Sequence, residues 1–133
     1  MQKILDSERV LTELDFARLR NLPSGQMPPD LLDQLEALEQ LPSKEIPADV
    51  VTMYSQLIVE DAVTGRRQKL TLCYPSDAEP HVGFISVLSP VGASLLGQRV
   101  GSVARWQTPN GDQCAAEIVE LLFQPEASGD YTT

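Results

Sequence analysis

The chain has 133 residues, 42% hydrophobic and 22% charged, a composition typical of one globular domain and without the roughly 18-residue apolar run of a membrane helix. Its 19 acidic and 10 basic side chains give a formal charge of −9, the wrong sign for a protein whose affinity rests on nucleic-acid phosphates. Two cysteines and one histidine exclude an all-Cys/His zinc site and a disulfide-dense secreted scaffold. Together with the lack of a signal-peptide apolar region at the start, they favour the reducing cytoplasm as the protein's location.

The first predicted elements are two short helices within residues 1–46. Thr12 followed three residues later by Asp15 is a capping arrangement, and the apolar residues that follow predict a helix of about ten residues. Asp30 is predicted to cap a second helix, and the pair to form an antiparallel hairpin with arms of about 15 Å. The predicted tip consists of helix-breaking residues and their neighbours: Pro23, Ser24, Gly25, Gln26, Met27, Pro28, Pro29 and Asp30.

Residues 47–133 are predicted to form an antiparallel sheet domain of about five strands. Alternation begins at Val50, a turn over 61–65 leads into a second strand, and the nearly continuous apolar run over 83–88 predicts a central strand. Two further strands, over 103–108 and 114–123, bracket the turn at 109–112. Residues 124–133 predict an exposed tail. The segregation of helices from strands indicates an α+β fold.

A short helix is predicted between the third and fourth strands. Ser89 is a good N-cap, Pro90 suits the first helical position, and Gly97 suits the end of the helix. The small basic cluster Arg66, Arg67 and Lys69 lies on the first hairpin. A solvated face is its simplest interpretation, and an acidic partner is the alternative.

The sequence holds candidates for chemistry but no convergent set. Acid pairs at 30/33 and 36/39 could chelate a divalent ion, but they more simply form the solvated face of the second helix. Asp77, Glu79 and His81 share a loop that is most simply a polar turn. A single histidine leaves no convincing Ser-His-acid triad, and no Lys-Ser/Thr follows Gly97 as a phosphate-binding loop requires. We predict no catalytic residue, no metal site and no cofactor.

Residues 85–101 run from a strand through Ser89 and Pro90 into a small helix and a glycine, and the turn Thr108 to Gly111 follows. This succession resembles the carboxy-terminal domain of the GreA/GreB transcript-cleavage factors. Within that superfamily, the segments 46–53, 89–101 and 124–131 make the chain more similar to the regulators of nucleoside diphosphate kinase (Rnk).

The resemblance implies an FKBP-like carboxy-terminal domain that docks on RNA polymerase at the rim of its secondary channel, with a helical hairpin pointing inward. In Gre factors, acids at the tip of a long hairpin help to hold a catalytic magnesium ion in the polymerase. The segment 22–29 contains no Asp or Glu, and Asp30 alone cannot reproduce a paired ligand set. We predict a monomeric, non-enzymatic regulator that competes with Gre-type factors without stimulating cleavage and that is linked to nucleoside diphosphate kinase.

The resemblance assigns docking to the corner between strand and helix. Its predicted partner-binding residues are Leu88, Ser89, Pro90, Val91, Leu95 and Leu96. The alternative for the last three is that they only anchor the helix on the sheet. Gre factors tend to have Asp or Asn where this chain has Leu88, which replaces a polar contact with an apolar one. Direct binding of nucleoside diphosphate kinase and peptidyl-prolyl isomerase activity, the latter by analogy with FKBP folds, are the other functions left open.

Overall fold

A computed structural model describes residues 9–22 and 27–130 of the chain. Strand β1 (Val10–Thr12) leads directly into helix α1 (Glu13–Arg20), and helix α2 (Pro29–Glu36) leads into strand β2 (Glu39–Leu41), which pairs with β1 in parallel. This ladder was not predicted, because strands of three residues are too short to show a period. The predicted hairpin residues 23–26 lie outside the described part of the chain.

Local capping explains where the two helices begin. The Thr12 hydroxyl accepts a hydrogen bond of 2.9 Å from the Asp15 N–H, which confirms the predicted cap of α1. The predicted cap of α2 is wrong: Pro28 occupies the N-cap without a side-chain bond, Pro29 is the first helical residue, and Asp30 lies in the first turn. Proline displaces the acid because its fixed φ and missing N–H suit the first helical position.

The main sheet has five strands in the order β5-β4-β3-β7-β6. Their bounds are β3 Gln56–Asp61, β4 Arg67–Cys73, β5 Phe84–Ser86, β6 Val103–Gln107 and β7 Gln113–Phe123, and helix α3 (Pro90–Leu95) lies between β5 and β6 in the sequence. Both predicted hairpins are present, β3 with β4 and β6 with β7. The mixed α+β class is confirmed.

The structure corrects three predictions about the strands. The strand expected from Val50 begins only at Gln56, because Tyr54 adopts a φ of +66° and breaks the extended backbone. Strand β5 lies at the edge of the sheet, and it pairs with β4 in parallel, so the sheet is not wholly antiparallel. The apolar character of 83–88 comes instead from the corner into α3, where Val87 is fully buried.

The predicted exposed tail is also wrong for its first residues. Gln124 is 4% exposed and Glu126 is 8% exposed, within a segment that ends in a short 3-10 helix at Ser128. The Gln124 side-chain amide donates to the carbonyl oxygens of Pro47 and Val50 at 2.8 and 2.7 Å. The segment is buried because it supplies hydrogen bonds to irregular backbone that has no strand partner.

One hydrophobic cluster joins the amino-terminal helices to the sheet. Leu19 of α1 and Leu35 of α2 are almost fully buried in the same cluster as Leu57 of β3, Leu72 of β4 and Ile118 of β7. A smaller cluster of Val10, Ile46 and Val50, with Leu41 against it, lies beside the β1–β2 ladder. None of the described helices is both long and apolar enough to cross a membrane.

Candidate docking surface

The corner between β5 and α3 is built by a serine pair. The Ser89 hydroxyl donates to the Ser86 carbonyl at 2.7 Å and accepts from the Gly92 N–H at 3.1 Å, while the Ser86 hydroxyl accepts from the Leu88 N–H at 3.0 Å. Ser89 is the N-cap of α3 and Pro90 its first residue, as predicted. These bonds fix the direction in which the chain leaves the sheet.

Gly92 allows α3 to lie directly on the end of β5. A Cβ at this position would overlap the Ser86 carbonyl oxygen, and it would lie 2.8 Å from the carbonyl carbon and 2.9 Å from the Val87 Cα. These neighbours are backbone atoms, which cannot rotate away. The position of the corner therefore depends on the absence of a side chain at Gly92.

The predicted docking residues divide into a surface set and a buried set. Pro90 is exposed, and Leu88, Ser89 and Val91 are half-buried. Leu95 and Leu96 are each 1% exposed and belong to the core cluster. The surface set forms a small patch accessible to a partner, whereas the two leucines hold α3 against the sheet.

A groove of about 680 Å³ opens beside α3 on the sheet. Apolar side chains of Val59, Leu70, Ile85, Val91, Trp106 and Ala116 line it together with polar residues at the β3–β4 end, Asp61, Thr64, Arg66, Arg67 and Gln68. Val91 belongs both to the corner and to the groove. This groove could not be predicted from the sequence, because its walls come from five strands and a helix that lie apart in the chain.

The other end of α3 holds the amino-terminal region. The Arg9 guanidinium donates to the carbonyl oxygen of Ala93 at 3.0 Å and, with its two nitrogens, to that of Leu96 at 2.7 and 3.2 Å. The Val10 N–H donates to the Gly97 carbonyl at 3.2 Å. A Cβ at Gly97, whose φ is +82°, would lie 2.8 Å from the Val10 carbonyl oxygen. Helix α3 thus forms part of the corner at its start and contacts the start of β1 at its end.

The predicted hairpin tip is described only in part. Met27 is half-buried against the core, and Pro28 and Asp30 are exposed. Pro29 is the first residue of α2, and Pro23, Ser24, Gly25 and Gln26 lie outside the described residues. Within residues 9–22 and 27–130, no group of three or more His, Cys, Asp or Glu side chains could hold a metal ion.

A buried polar cluster, defined by Asp15, Thr52, Met53, Ser55 and Glu126, fastens α1 and the carboxy-terminal segment to the irregular stretch before β3. Asp15 Oδ2 accepts from the Met53 N–H at 3.1 Å, and Glu126 Oε1 accepts from the Thr52 hydroxyl at 2.7 Å. The Ser55 hydroxyl accepts from the Thr52 N–H at 2.8 Å. The cluster could not be predicted from the sequence, because its partners are 38 and 74 residues apart in the chain.

Burial controls the ionisation of both acids in the cluster. Desolvation raises the pKa of Asp15 to about 7, against the opposing effect of the Met53 N–H bond, with a further rise from Glu126. Desolvation also raises the pKa of Glu126 above its ordinary value. Asp15 Oδ1 is buried without a hydrogen-bond partner in the described residues. These acids are structural groups inside the fold, and neither of them lines the groove.

Residues 46–122 match the family model described as Transcription elongation factor, GreA/GreB, C-term. The chain is 37% identical over 127 residues to the Regulator of nucleoside diphosphate kinase of Escherichia coli (strain K12), covering 96% of this chain and 91% of that protein. It is 45% identical over 73 residues to Transcription elongation factor GreA of Solidesulfovibrio magneticus, covering 54% of this chain and 44% of that protein.

A solved structure extends the comparison to the fold. The prokaryotic transcription elongation factor GreA/GreB from Nitrosomonas europaea superposes with a TM-score of 0.68 at 33% identity, over 87% of this chain and 98% of that chain. The matched residues 46–122 contain the whole of the β5–α3 corner and of the groove.

Proposed function

Since the chain belongs to the GreA/GreB family of transcription elongation factors, we propose that it binds RNA polymerase near the secondary channel and competes with Gre-type factors without stimulating transcript cleavage. The relatives are regulators and transcription factors. The proposal includes the finer features that the family resemblance implies: an antiparallel helical arm over 1–46, an FKBP-like docking domain over 47–133, and action as a monomer in the cytoplasm.

The observation that carries the proposal is the contrast between the β5–α3 corner and the amino-terminal helices. The corner presents Leu88, Pro90 and Val91 on rigid, hydrogen-bonded backbone. The arm has helices of only eight residues each, about 12 Å long. Because the segment 22–29 holds no acid and Asp30 stands alone beside it, such an arm obstructs a channel without supplying metal ligands at its far end.

Competition follows from occupancy alone. Two proteins that dock on one polymerase surface exclude each other in proportion to their concentrations and affinities. Leu88 and Pro90 offer apolar contact area, and Ser89 is already engaged within the corner. We therefore expect affinity to come from buried apolar surface at the corner rather than from hydrogen bonds made by Ser89.

The test is capture of purified RNA polymerase by the wild-type chain, compared with Leu88→Lys and Pro90→Ala. We expect Leu88→Lys to lose most of the capture, because an ammonium group would be desolvated in an apolar contact. The matched control is Leu122→Lys, the same substitution at a leucine away from the corner, 44% exposed on β7. A wild-type chain that fails to capture polymerase overturns the proposal.

Cleavage separates this function from that of a cleavage factor. On stalled polymerase we expect the wild-type chain to leave the rate of transcript cleavage unchanged when alone and to reduce the rate stimulated by GreA. Acceleration of cleavage by the chain itself would contradict the proposal. The name of the Escherichia coli relative motivates a parallel capture with purified nucleoside diphosphate kinase. Binding there in place of polymerase would favour a direct interaction with that enzyme.

A further inference from the structure

The main sheet has an outer face, on the side opposite the core and the groove. Leu57 and Val59 of β3 point to the core and the groove, so Gln56, Ile58 and Glu60, which alternate with them, point to the outer face. Residues directly opposite one another on neighbouring strands share a face. The strand register places the residues of the outer face in three rows: Phe84, Thr71, Gln56 and Phe123; Lys69, Ile58 and Glu120; Arg67, Glu60 and Glu117.

Apolar side chains of the outer face lie outside the core. Phe84 and Phe123 are 38% and 41% exposed, and Ile58 between their strands is half-buried. None of these three belongs to either hydrophobic cluster of the described residues. The outer face therefore offers apolar contact area that the fold itself does not use.

Charge is divided between the two sides of the outer face. Lys69 and Arg67 lie on β4, on one side of β3, and Glu120 and Glu117 lie on β7, on the other side. Arg67 binds Glu60, but the exposed side chains of Lys69, Glu120 and Glu117 form no ion pair within residues 9–22 and 27–130. The outer face thus has a basic side and an acidic side.

A face divided in this way is complementary to itself. When two copies pack face to face, a two-fold axis along β3 places β4 of each copy opposite β7 of the other. Lys69 of one copy then faces Glu120 of the other, because both share the row of Ile58. In the next row, Phe123 faces Thr71. An axis across the strands would place β4 on β4 and set like charges together, so charge selects the first arrangement.

We propose that the outer face is a site of self-association, on which a second copy of this chain packs with its β7 opposite β4. The sequence left an acidic partner open for the basic residues of the first hairpin, and β7 of the second copy supplies one at Glu117 and Glu120. The inference goes beyond the proposed function and does not rest on it. Phe84 and Ile85 point to opposite sides of β5, and Ile85 lines the groove, so the groove stays open in the dimer.

The size of the outer face indicates a weak dimer. Three rows across four strands span about 20 Å by 20 Å, which is small for a specific interface. The formal charge of −9 on each copy also opposes association. The monomer therefore predominates in dilute solution, which is consistent with the monomeric action of the proposed function.

Sedimentation velocity of the purified chain measures the association. We expect the sedimentation coefficient of the wild type to rise from the monomer value toward the dimer value between about 10 μM and about 1 mM. Lys69→Glu sets two carboxylates against each other on both sides of the axis and is expected to weaken association at least about tenfold. Lys44→Glu is the matched control, because it gives the same net charge at an exposed residue outside the main sheet. It is expected to associate within about twofold of the wild type.

Exchanging the charges tests the arrangement of the two copies. Glu120→Lys alone is also expected to lose association, because Lys69 then faces a lysine. The double variant Lys69→Glu/Glu120→Lys restores opposite charges at the net charge of the wild type, and so does an equimolar mixture of the two single variants. We expect both to associate within about threefold of the wild type. Circular dichroism verifies that each variant folds.

The inference is overturned by a wild type that stays monomeric over the whole range, or by single variants that associate as well as the wild type. Failure of the double variant or of the mixture to associate overturns it too. Capture of polymerase tests the other occupant: Lys69→Glu is expected to be captured as the wild type is. Loss of that capture would assign the outer face to polymerase and leave the proposed function standing.

Discussion

Asp15 is an acid buried where a hydrophobic residue would be expected. Its side chain is 1% exposed, and its pKa of about 7 reflects desolvation that the Met53 N–H bond offsets only in part. The folded state therefore favours the protonated carboxyl more than the unfolded chain does. For such a raised pKa, the stabilising contribution is complete below about pH 4 and is lost progressively as the pH rises to about 7.

We expect Asp15→Asn to remove this pH dependence. The amide keeps an oxygen to accept from the Met53 N–H and cannot ionise, so the variant should be more stable than the wild type at pH 8 by roughly 1–3 kcal/mol. Urea unfolding at pH 5 and pH 8 measures the difference. Glu13→Gln is the control, because Glu13 is exposed on the same helix. A variant that retains the slope of the wild type would show that another group titrates.

Residue roles were predictable where the partner is near in the chain. The caps at Thr12 and Ser89 were predicted because each bond closes over three residues, to Asp15 and Gly92. The burial of Asp15 was not predictable, since the Met53 N–H that it meets is 38 residues away. The predicted docking residues were assigned by resemblance. Their burial in the structure then separates exposed Pro90 from buried Leu95 and Leu96.

Helix α3 depends on close backbone contact with β5. Helix propensity alone predicts that Gly92→Ala stabilises the chain by about 1 kcal/mol. The overlap of the added Cβ with the Ser86 carbonyl oxygen opposes this, and overpacking against backbone costs typically 1–3 kcal/mol. We expect net destabilisation, measured as a lower urea midpoint, together with weaker capture of polymerase. Gly101→Ala serves as the control for glycine replacement, because at a φ of +95° it meets strain but no neighbour within 4 Å. An unchanged midpoint for Gly92→Ala would contradict the packing.

The carboxy-terminal segment stabilises the irregular chain before β3. Gln124→Leu removes two donors and leaves the carbonyl groups of Pro47 and Val50 without them. We expect a loss of roughly 1–3 kcal/mol in the free energy of unfolding. Gln113→Leu, at an exposed glutamine that begins β7, is expected to change it by less than about 0.5 kcal/mol. Equal effects of the two substitutions would show that the segment is dispensable.

Elements were predictable from period and turn chemistry, and their placement was not. The β3–β4 and β6–β7 hairpins follow from alternation and turn residues. The position of β5 at an edge depends on pairing with β4 in parallel, which no local pattern encodes. Burial of the segment around Gln124 was invisible for the same reason, because glutamine and proline suggest a loop until their distant partners are known.

At the scale of the whole molecule, the amino-terminal helices and the sheet share one core. Leu19 and Leu35 pack in the cluster that holds Leu57 and Leu72, and Arg9 ties the start of β1 to the end of α3. The division into an arm over 1–46 and a domain over 47–133 is a prediction from sequence. The shared core implies that α1 and α2 are held in a fixed orientation relative to the docking corner.

A fixed arm predicts one cooperative unfolding transition. Leu19→Ala removes a fully buried side chain from α1, and such substitutions cost typically 2–5 kcal/mol. We expect the loss of stability to appear equally in far-ultraviolet circular dichroism and in the fluorescence of Trp106, which lies on β6. The control is Gln34→Ala on the exposed side of α2, which is expected to leave both transitions unchanged. If the arm unfolded on its own, the Trp106 transition of Leu19→Ala would coincide with that of the wild type. Coincident shifts would mean that docking at the corner also sets the direction of the arm, so that obstruction of a channel needs no further contact to position it.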